Sequence, residues 1–424
     1  MTVGCSMMPD WLRLPEELVA SIAIRLTLIS DYIRFGAVCT LWNSIATKNR
    51  HRLPGHLPWL LLQPTTTSTN PLLSSLCTCK KNSTSTSTRR RRVCGAGTGG
   101  WLIAVDDSTA VVSLFNPFTG FEIPLPPLAT ATNSSSCYLW KAVLSISPPA
   151  EYSGFVVMAL YGQPRSHKQR LLALLYSRPN SPNNNDFSWL SLDQTPRVHD
   201  HSDIIADIIC YKGRFYAVDN RGRLFECDIY NHHHHHSPPR LRLAATHLHE
   251  FHQAPAPERK DNYIHGNKRY LVESIQGDLL QAVVLCNNNV NIIRRLISTH
   301  HAADQEAAAA AEIGIEVFKH VKGDEREEMG RWVCGADDDE AAAGVGEQIL
   351  VLGLYASFAF SASKHFADRP APCKGTWIYN GGFCYPADNS GIFTYTMVSR
   401  KLAFLMFFKQ NVAPRLEFLL HAEP

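Results

Sequence analysis

Gly95, Gly97 and Gly100, in the stretch GAGTGG, satisfy the G-x-G-x-x-G string that brings backbone N–H groups against a dinucleotide pyrophosphate. That chemistry needs a strand before the glycines and a helix after them, so that the phosphates meet a helix N-terminus. Here a basic run precedes them and the strand-like WLIAV follows, so they read as a turn leading into a β element. His232–His236 could hold a transition metal, as any solvated histidine tract can. Its neighbours, Asn231 and Ser237-Pro238-Pro239, offer no partners that would fix ligating rings, so it reads as a low-complexity loop. Cys77 and Cys79 lack both the C-x2-C spacing and a second pair, and Cys373 and Cys384 lie too far apart for a compact zinc knuckle. Neither G-x-S-x-G nor H-E-x-x-H occurs. The expectation is a chain with no catalytic residues, no metal and no cofactor.

Charge and composition narrow the class further. Arg89–Arg92 is the strongest local charge. Four arginines without interleaved aromatics do not make a reader of nucleic-acid sequence. They read as a solvated linker, with nuclear import as a second reading. A net charge of +3 over 424 residues is near balance, so no global field favours nucleic acid or an acidic membrane surface. Hydrophobic residues at 45% suit a folded chain, and the length suits one small and one large domain. The twelve cysteines are scattered; Cys39, Cys137, Cys210 and Cys286 sit inside apolar runs, where a thiol behaves as a small buried hydrophobe. MTVGCSMMPDW has neither a basic n-region nor an apolar h-region, so no secretory signal is expected. No stretch reaches the ~18 uninterrupted apolar residues of a membrane span. The expected compartment is the reducing cytoplasm or nucleus, where the sequons at Asn82 and Asn133 carry no meaning.

Two kinds of element must position whatever this chain binds. From Pro15, the apolar residues Leu18, Ile22 and Leu26 fall four apart, which is helical spacing. Pro15 suits the first turn, and Glu16 and Glu17 complement the positive end of the helix dipole. Ser30 or Asp31 supplies an N-cap for a second helix, whose stripe runs Tyr32, Phe35, Val38, Cys39, Trp42 and Ile45. Two such helices cannot bury their faces on each other alone; they need a third element or a partner. Residues 64–92 are low in complexity and read as a linker or insertion. Beyond residue 93 the pattern turns to short strands such as GWLIAVDD, KAVLSI, GFVVMALYG and RLLALLYS, punctuated by Asn-Pro, Thr-Gly and Pro-Pro. In IADIICYKGRFYAVDNRGRLFECDI, from Ile205 to Ile229, Lys-Gly and Asn-Arg-Gly turns separate three strand-like runs, a β-meander. Many short strands without intervening helices imply an all-β sandwich, barrel or propeller, and roughly 330 residues of them favour a propeller. His232–His236, Ala307–Ala311 and Ala341–Ala343 read as loop insertions.

The stretch WLRLPEELVASIAIRLTLISDYIRFGAVCTLWNSI, from Trp11 to Ile45, resembles an F-box. The motif is carried by Leu14-Pro15, Ile24-Arg25-Leu26, and Asp31 with Arg34-Phe35-x-x-Val38-Cys39-x-x-Trp42. The remainder resembles the plant F-box proteins with a KIB-type β-propeller, in LPWLLLQP (57–64), GWLIAVDDSTAVVSLFNPFTGFEIPLPPL (100–128), KAVLSISP (141–148), DIICYKGRFYAVDNRGRLFECDI (207–229) and RYLVESIQGDLL (269–280). Past residue 286 the likeness thins, and GTWIYNGG (375–382) departs from the family's aromatic-acidic run. The expected fold is a small all-α F-box module followed by an all-β domain, a kelch-like β-propeller. Its divisions are an F-box module over 10–50, a linker over 51–92, and a propeller over 93–424 with His-rich and Ala-rich loop insertions.

The resemblance implies a substrate-receptor subunit of a Skp–cullin–F-box ubiquitin ligase and no enzyme. The module would dock on the Skp-family adaptor, and through it on cullin and RING subunits. The propeller would select an unnamed target protein, acting by tethering. Neither a membrane nor a specific nucleic acid is expected as a partner. The alternative is a cytosolic or nuclear propeller scaffold working outside a ligase. An apolar stripe on a helix whose polar face is not strongly basic marks a partner groove. The expected adaptor anchors are Leu14, Pro15, Leu18, Ile22, Val38, Cys39 and Trp42, with packing of the module's own core as the competing role for each. Target binding is sought among Tyr211, Arg214, Tyr216 and Arg221, with core packing as the competing role of the tyrosines.

Overall fold

The computed structural model describes residues 11, 14–26, 29–49, 59–63, 72–75, 81–83, 91–97, 100–106, 111–116, 120–127, 138–146, 154–162, 169–176, 189–192, 204–229, 239–246, 268–286, 313–323, 329–334, 348–353, 356–361, 377–380, 390–396, 401–408 and 415–420. Its helices lie at the start: α1 (Glu16–Arg25), α2 (Ile29–Gly36) and α3 (Thr40–Asn49). Pro15 stands just outside α1 as its N-cap, and its carbonyl accepts from Leu18 N and Val19 N. The stripe from Tyr32 to Ile45 is therefore two helices, not one. The chain turns through Ala37–Cys39, and the Cys39 carbonyl accepts from Asn43 N at 2.9 Å as α3 begins. The helix-level expectation of a third element is met inside the stretch that reads as one helix. Ser30 and Asp31 lie within α2, so neither is its N-cap.

The strands form six sheets among the described residues. The first holds β1 (Trp59–Gln63), β2 (Leu72–Ser75) and β3 (Lys81–Ser83). The second is β4 (Arg91–Ala96), β5 (Leu102–Asp106), β6 (Val111–Phe115) and β7 (Glu122–Pro124). The third is β8 (Tyr138–Leu144), β9 (Phe155–Gly162), β10 (Gln169–Tyr176) and β11 (Leu190–Ser191). The fourth is β12 (Ile205–Tyr211), β13 (Arg214–Asp219), β14 (Leu224–Asp228) and β15 (Arg240–Ala245). The fifth is β16 (Lys268–Glu273), β17 (Leu279–Cys286), β18 (Ile313–Val321) and β19 (Arg331–Cys334). The sixth orders β20 (Gln348–Leu352), β21 (Ser357–Ser361), β22 (Trp377–Asn380), β23 (Ser390–Thr396) and β24 (Lys401–Phe408) as β21-β20-β22-β23-β24. Its β20–β22 pair is parallel, where the other strand pairs are antiparallel, and β22 is the Trp377–Asn380 part of GTWIYNGG. The last strand, β25 (Arg415–Leu420), pairs antiparallel with β1 and completes the first sheet from the far end of the chain.

Edge strands meet in succession: β25 lies against β4, β4 against β8, β8 against β12, β12 against β16, and β16 against β21. Contact of β23 with β25 returns the path to its start, so the sheets are blades of a propeller. Radial repetition explains the apolar strands. β9 is buried along its whole length because both faces of its blade meet neighbours. One apolar cluster joins the second and third blades through Leu102, Leu114, Val157 and Ala159. Another joins the third and fourth through Met158, Leu171, Phe215 and Phe225.

The linker expected over 51–92 is corrected by this arrangement. β1, β2 and β3 lie within it, and β4 starts at Arg91. Composition does not reveal this sheet, because β1 pairs with β25, more than three hundred residues downstream. RLRLAA after the histidine run was likewise missed; it is β15, the outer strand of the fourth blade. The histidine and alanine runs, Cys77, Cys79, Cys137, Cys373, Cys384, Asn133 and Arg89 lie outside the described residues. Cys94 and Cys227 are buried free thiols and Cys39 and Cys210 partly buried ones; burial pushes the Cys210 thiol up to about 11. No helix among the described residues is long and apolar enough to cross a membrane.

Candidate functional site

The helical module is built around Val19 and Ala23 of α1, Tyr32 and Phe35 of α2, and Trp42, Ile45 and Ala46 of α3, all buried. Tyr32 donates its hydroxyl to the Ala46 carbonyl at 2.5 Å, tying α2 to α3. Phe35 and Trp42 rings meet with centroids 4.6 Å apart. Trp42 is thus packed in the module's core at 8% exposure, and its indole N–H finds no acceptor among the described residues. Leu14, Ile22 and Cys39 are partly buried against the same cluster. Pro15, Leu18 and Val38 are exposed, Leu18 at 52% and Val38 at 50%. The reason lies in helix geometry. Leu18 precedes Val19 by one residue, about 100° around the axis, so the Leu18–Ile22 stripe flanks the buried Val19–Ala23 stripe and does not coincide with it. Trp11, Ile24 and Leu41, which periodicity did not single out, are exposed apolar residues on the same module.

The glycine string has a packing explanation. Gly95 lies within β4, where a Cβ would come 2.0 Å from the Ala142 carbonyl oxygen of β8, so only glycine lets the two blades approach. Gly100, with φ at 78°, sits in the turn to β5. A strand and not a helix follows, which removes the dinucleotide geometry. Arg92 is corrected too: it is buried at 8% exposure and donates to the Leu139 carbonyl at 3.0 Å, joining the second blade to the third. Built into a strand edge, it is no solvated linker residue.

The next joint carries a buried ion pair. Lys141 Nζ lies 2.5 Å from Asp207 Oδ1, with side chains only 6% and 4% exposed. Asp207 also accepts from Ile208 N at 2.9 Å and, through Oδ2, from Leu271 N of β16 at 2.8 Å. One carboxylate therefore fastens three successive blades. Burial pushes it above the ordinary carboxylate range, against the opposing pull of Lys141 and the two backbone N–H groups.

The fourth blade separates the residues expected for target binding. Lys212, with φ at 48°, and Gly213 form the turn between β12 and β13, so Tyr211 and Arg214 flank one end of the blade. Tyr211 donates to the Gly277 carbonyl of the fifth blade at 2.7 Å, and its ring meets Tyr216 edge-on at 6.0 Å. Both tyrosines are partly buried against the cluster between these blades. Arg214 is exposed and pairs with Glu226. Arg221 lies in the turn at the opposite end of β13, where Asp219 Oδ1 accepts its N–H at 3.0 Å. Sequence reasoning missed Glu226 and Arg242, which pair at 2.6 Å; only strand register brings Arg242 opposite Glu226. Burial alone would raise the Glu226 carboxyl, but the two guanidiniums hold it below its ordinary value. Among the described residues no group of three or more His, Cys, Asp or Glu is placed to hold a metal ion.

A three-helix module followed by a closed ring of blades defines an F-box protein with a β-propeller. The F-box domain model matches residues 11–53 and the KIB1-4 beta-propeller model matches residues 68–396, and the chain belongs to the KIB1-4 beta-propeller family. F-box protein SKIP23 of Arabidopsis thaliana is 24% identical over 413 residues, covering 91% of this chain and 87% of that protein. Among solved structures, TolB from Acinetobacter baumannii matches with a TM-score of 0.38 at 9% identity, over 86% of this chain and 65% of that one. The Cps50 (Swd1) β-propeller domain of Myceliophteria thermophila matches with a TM-score of 0.37 at 9% identity, over 85% of this chain and 88% of that one.

Proposed function

We propose that this chain is the substrate-receptor subunit of a Skp–cullin–F-box ubiquitin ligase. Its helical module docks on the Skp-family adaptor, and through it on cullin and RING subunits, while the propeller holds a target protein. The supporting observation is that the module's core is complete without Leu18 and Val38, which stand about half exposed. Apolar side chains left outside a finished core lower the free energy of a complex that covers them. Leu18, Val38 and Pro15 are the direct contacts in this reading. Leu14, Ile22 and Cys39 line the edge of the surface and set its shape. The chain performs no covalent step; it raises the local concentration of target lysines near a charged conjugating enzyme. The cytoplasm or nucleus is where such a complex works.

The test is capture of a Skp-family adaptor by the full chain. Leu18→Asp with Val38→Asp is expected to abolish capture while leaving helix content and the unfolding midpoint unchanged. Undiminished capture by this variant, or no capture by the native chain, would mean a propeller scaffold working outside a ligase.

A further inference from the structure

The fourth blade carries a second surface, of different chemistry. Strand register sets Tyr216, Glu226 and Arg242 side by side on one face, with Arg214 beside them and Arg240 opposite Asp228. Glu226 is only 14% exposed, yet it holds both Arg214 and Arg242, whose side chains are 62% and 65% exposed. Arg214 reaches it through Nη1, and Arg242 through Nη2 at 2.6 Å. One carboxylate neutralises one guanidinium, and here it orients two. Each fork is anchored at one nitrogen and has its remaining donors toward solvent, the arrangement that accepts a carboxylate or phosphate with little further ordering.

The neighbouring charges define which acidic partner fits. Arg240 and Asp228 face each other across the strands, and Asp278 is paired with Lys319 at 3.0 Å. Lys212 lies over the Tyr211 ring at 4.9 Å, close enough to Glu273 to feel its charge. The excess therefore falls on the Arg214–Arg242 pair, with Asp228 close enough for both to feel its charge. Arg214 and Arg242 against Glu226 leave a single net positive charge on this face; that is too local for a continuous phosphate backbone or an anionic membrane, whereas a short segment with a few negative groups can place one on the forks.

We propose that the Arg214–Glu226–Arg242 strip is a docking surface for an acidic segment of a protein target. The inference rests on the receptor reading for the role of that segment, and its test is separable from adaptor capture.

Fluorescence anisotropy of the full chain with two labelled short peptides, one of alternating Glu and Gly and one with phosphoserine at the Glu positions, reads the binding directly. Arg214→Gln with Arg242→Gln is expected to weaken binding by at least about tenfold, with adaptor capture and thermal midpoint unchanged. Arg214→Lys with Arg242→Lys keeps the charge, leaves Glu226 paired, and is expected to give an intermediate loss because the fork geometry is gone. Arg25→Gln, an exposed arginine of the module, is expected to change nothing. Tighter binding of the phosphoserine peptide would assign phosphate as the recognised group, and equal binding would assign carboxylate. Failure of the native chain to bind either peptide, or equal weakening by Arg25→Gln, would overturn the proposal. Loss of adaptor capture in the Leu18/Val38 variant with peptide binding intact would show the two surfaces to be independent.

Discussion

The helical module and the propeller handle apolar side chains in opposite ways. Among the described residues, five of the twelve large exposed apolar residues (Trp11, Leu18, Ile24, Val38 and Leu41) belong to the module, although it supplies only about a sixth of those residues. A small three-helix unit has too much surface for its volume to bury all its apolar groups. The propeller strands place theirs between blades, where both faces of β9 are covered. Polar groups that the propeller buries, such as Lys141, Asp207 and Arg92, are spent on fastening one blade to the next. The difference teaches that the two regions suit different partners. The module offers an apolar surface that association can cover, and the described face of the fourth blade offers oriented charge.

The largest expected effect tests whether Trp42 belongs to the module's interior or to its outer surface. Trp42→Ala should cost about 3–5 kcal/mol, enough to unfold the module and, with it, to end adaptor capture. Hydrogen exchange should then rise over residues 14–49 while the propeller strands keep their protection. Trp42→Phe should cost less than about 1.5 kcal/mol, since the indole N–H has no acceptor to lose. A surface anchor would instead show lost capture with the module still folded.

Next comes the propeller's counterpart. Asp207→Ala leaves Lys141 as an uncompensated buried charge and should destabilise the propeller by about 3–5 kcal/mol, read from a chemical denaturation midpoint. Lys141→Met combined with Asp207→Leu should recover much of that loss. If both variants fall equally, the backbone bonds from Asp207 to Leu271 and Ile208 matter more than the ion pair.

A smaller effect depends on pH. Burial holds His320 below its ordinary value, and its ring packs edge-on against Trp332 at 5.5 Å. The folded chain therefore binds fewer protons than the unfolded one in the window below about 6.5. Stability from this group is full above that value and is lost as pH falls from it through the lower folded value. His320→Phe should flatten that part of the stability profile relative to the native chain; parallel profiles would rule the contribution out. The smallest effect belongs to the exposed pair Lys48–Glu16, at 3.1 Å with both side chains more than half exposed. Lys48→Ala should change module stability by no more than about 0.5 kcal/mol in the same denaturation experiment.

Much of the architecture was legible in local pattern. Lys212-Gly213 and Asn220-Arg221-Gly222 marked the hairpin turns of the fourth blade because φ above zero demands such residues. The Val19–Ala23 core was less legible, since Leu18 and Ile22 share helical spacing with it and periodicity cannot say which apolar stripe faces inward. For the same reason the spacing alone left Trp42 open to either role, adaptor anchor or module core.

By itself the sequence determined the helical start, the strand-rich remainder, the turns and the strand that follows the glycine string, because each is set by residues within a few positions of one another. Only the tertiary structure decided the rest. β1 gained β25 as its outer neighbour from the far end of the chain, Arg92 went inward because Leu139 offers a carbonyl, and Arg214 met Arg242 because register placed Glu226 between them. Those pairings join residues far apart in the chain, and local propensity carries no information about which distant partner arrives.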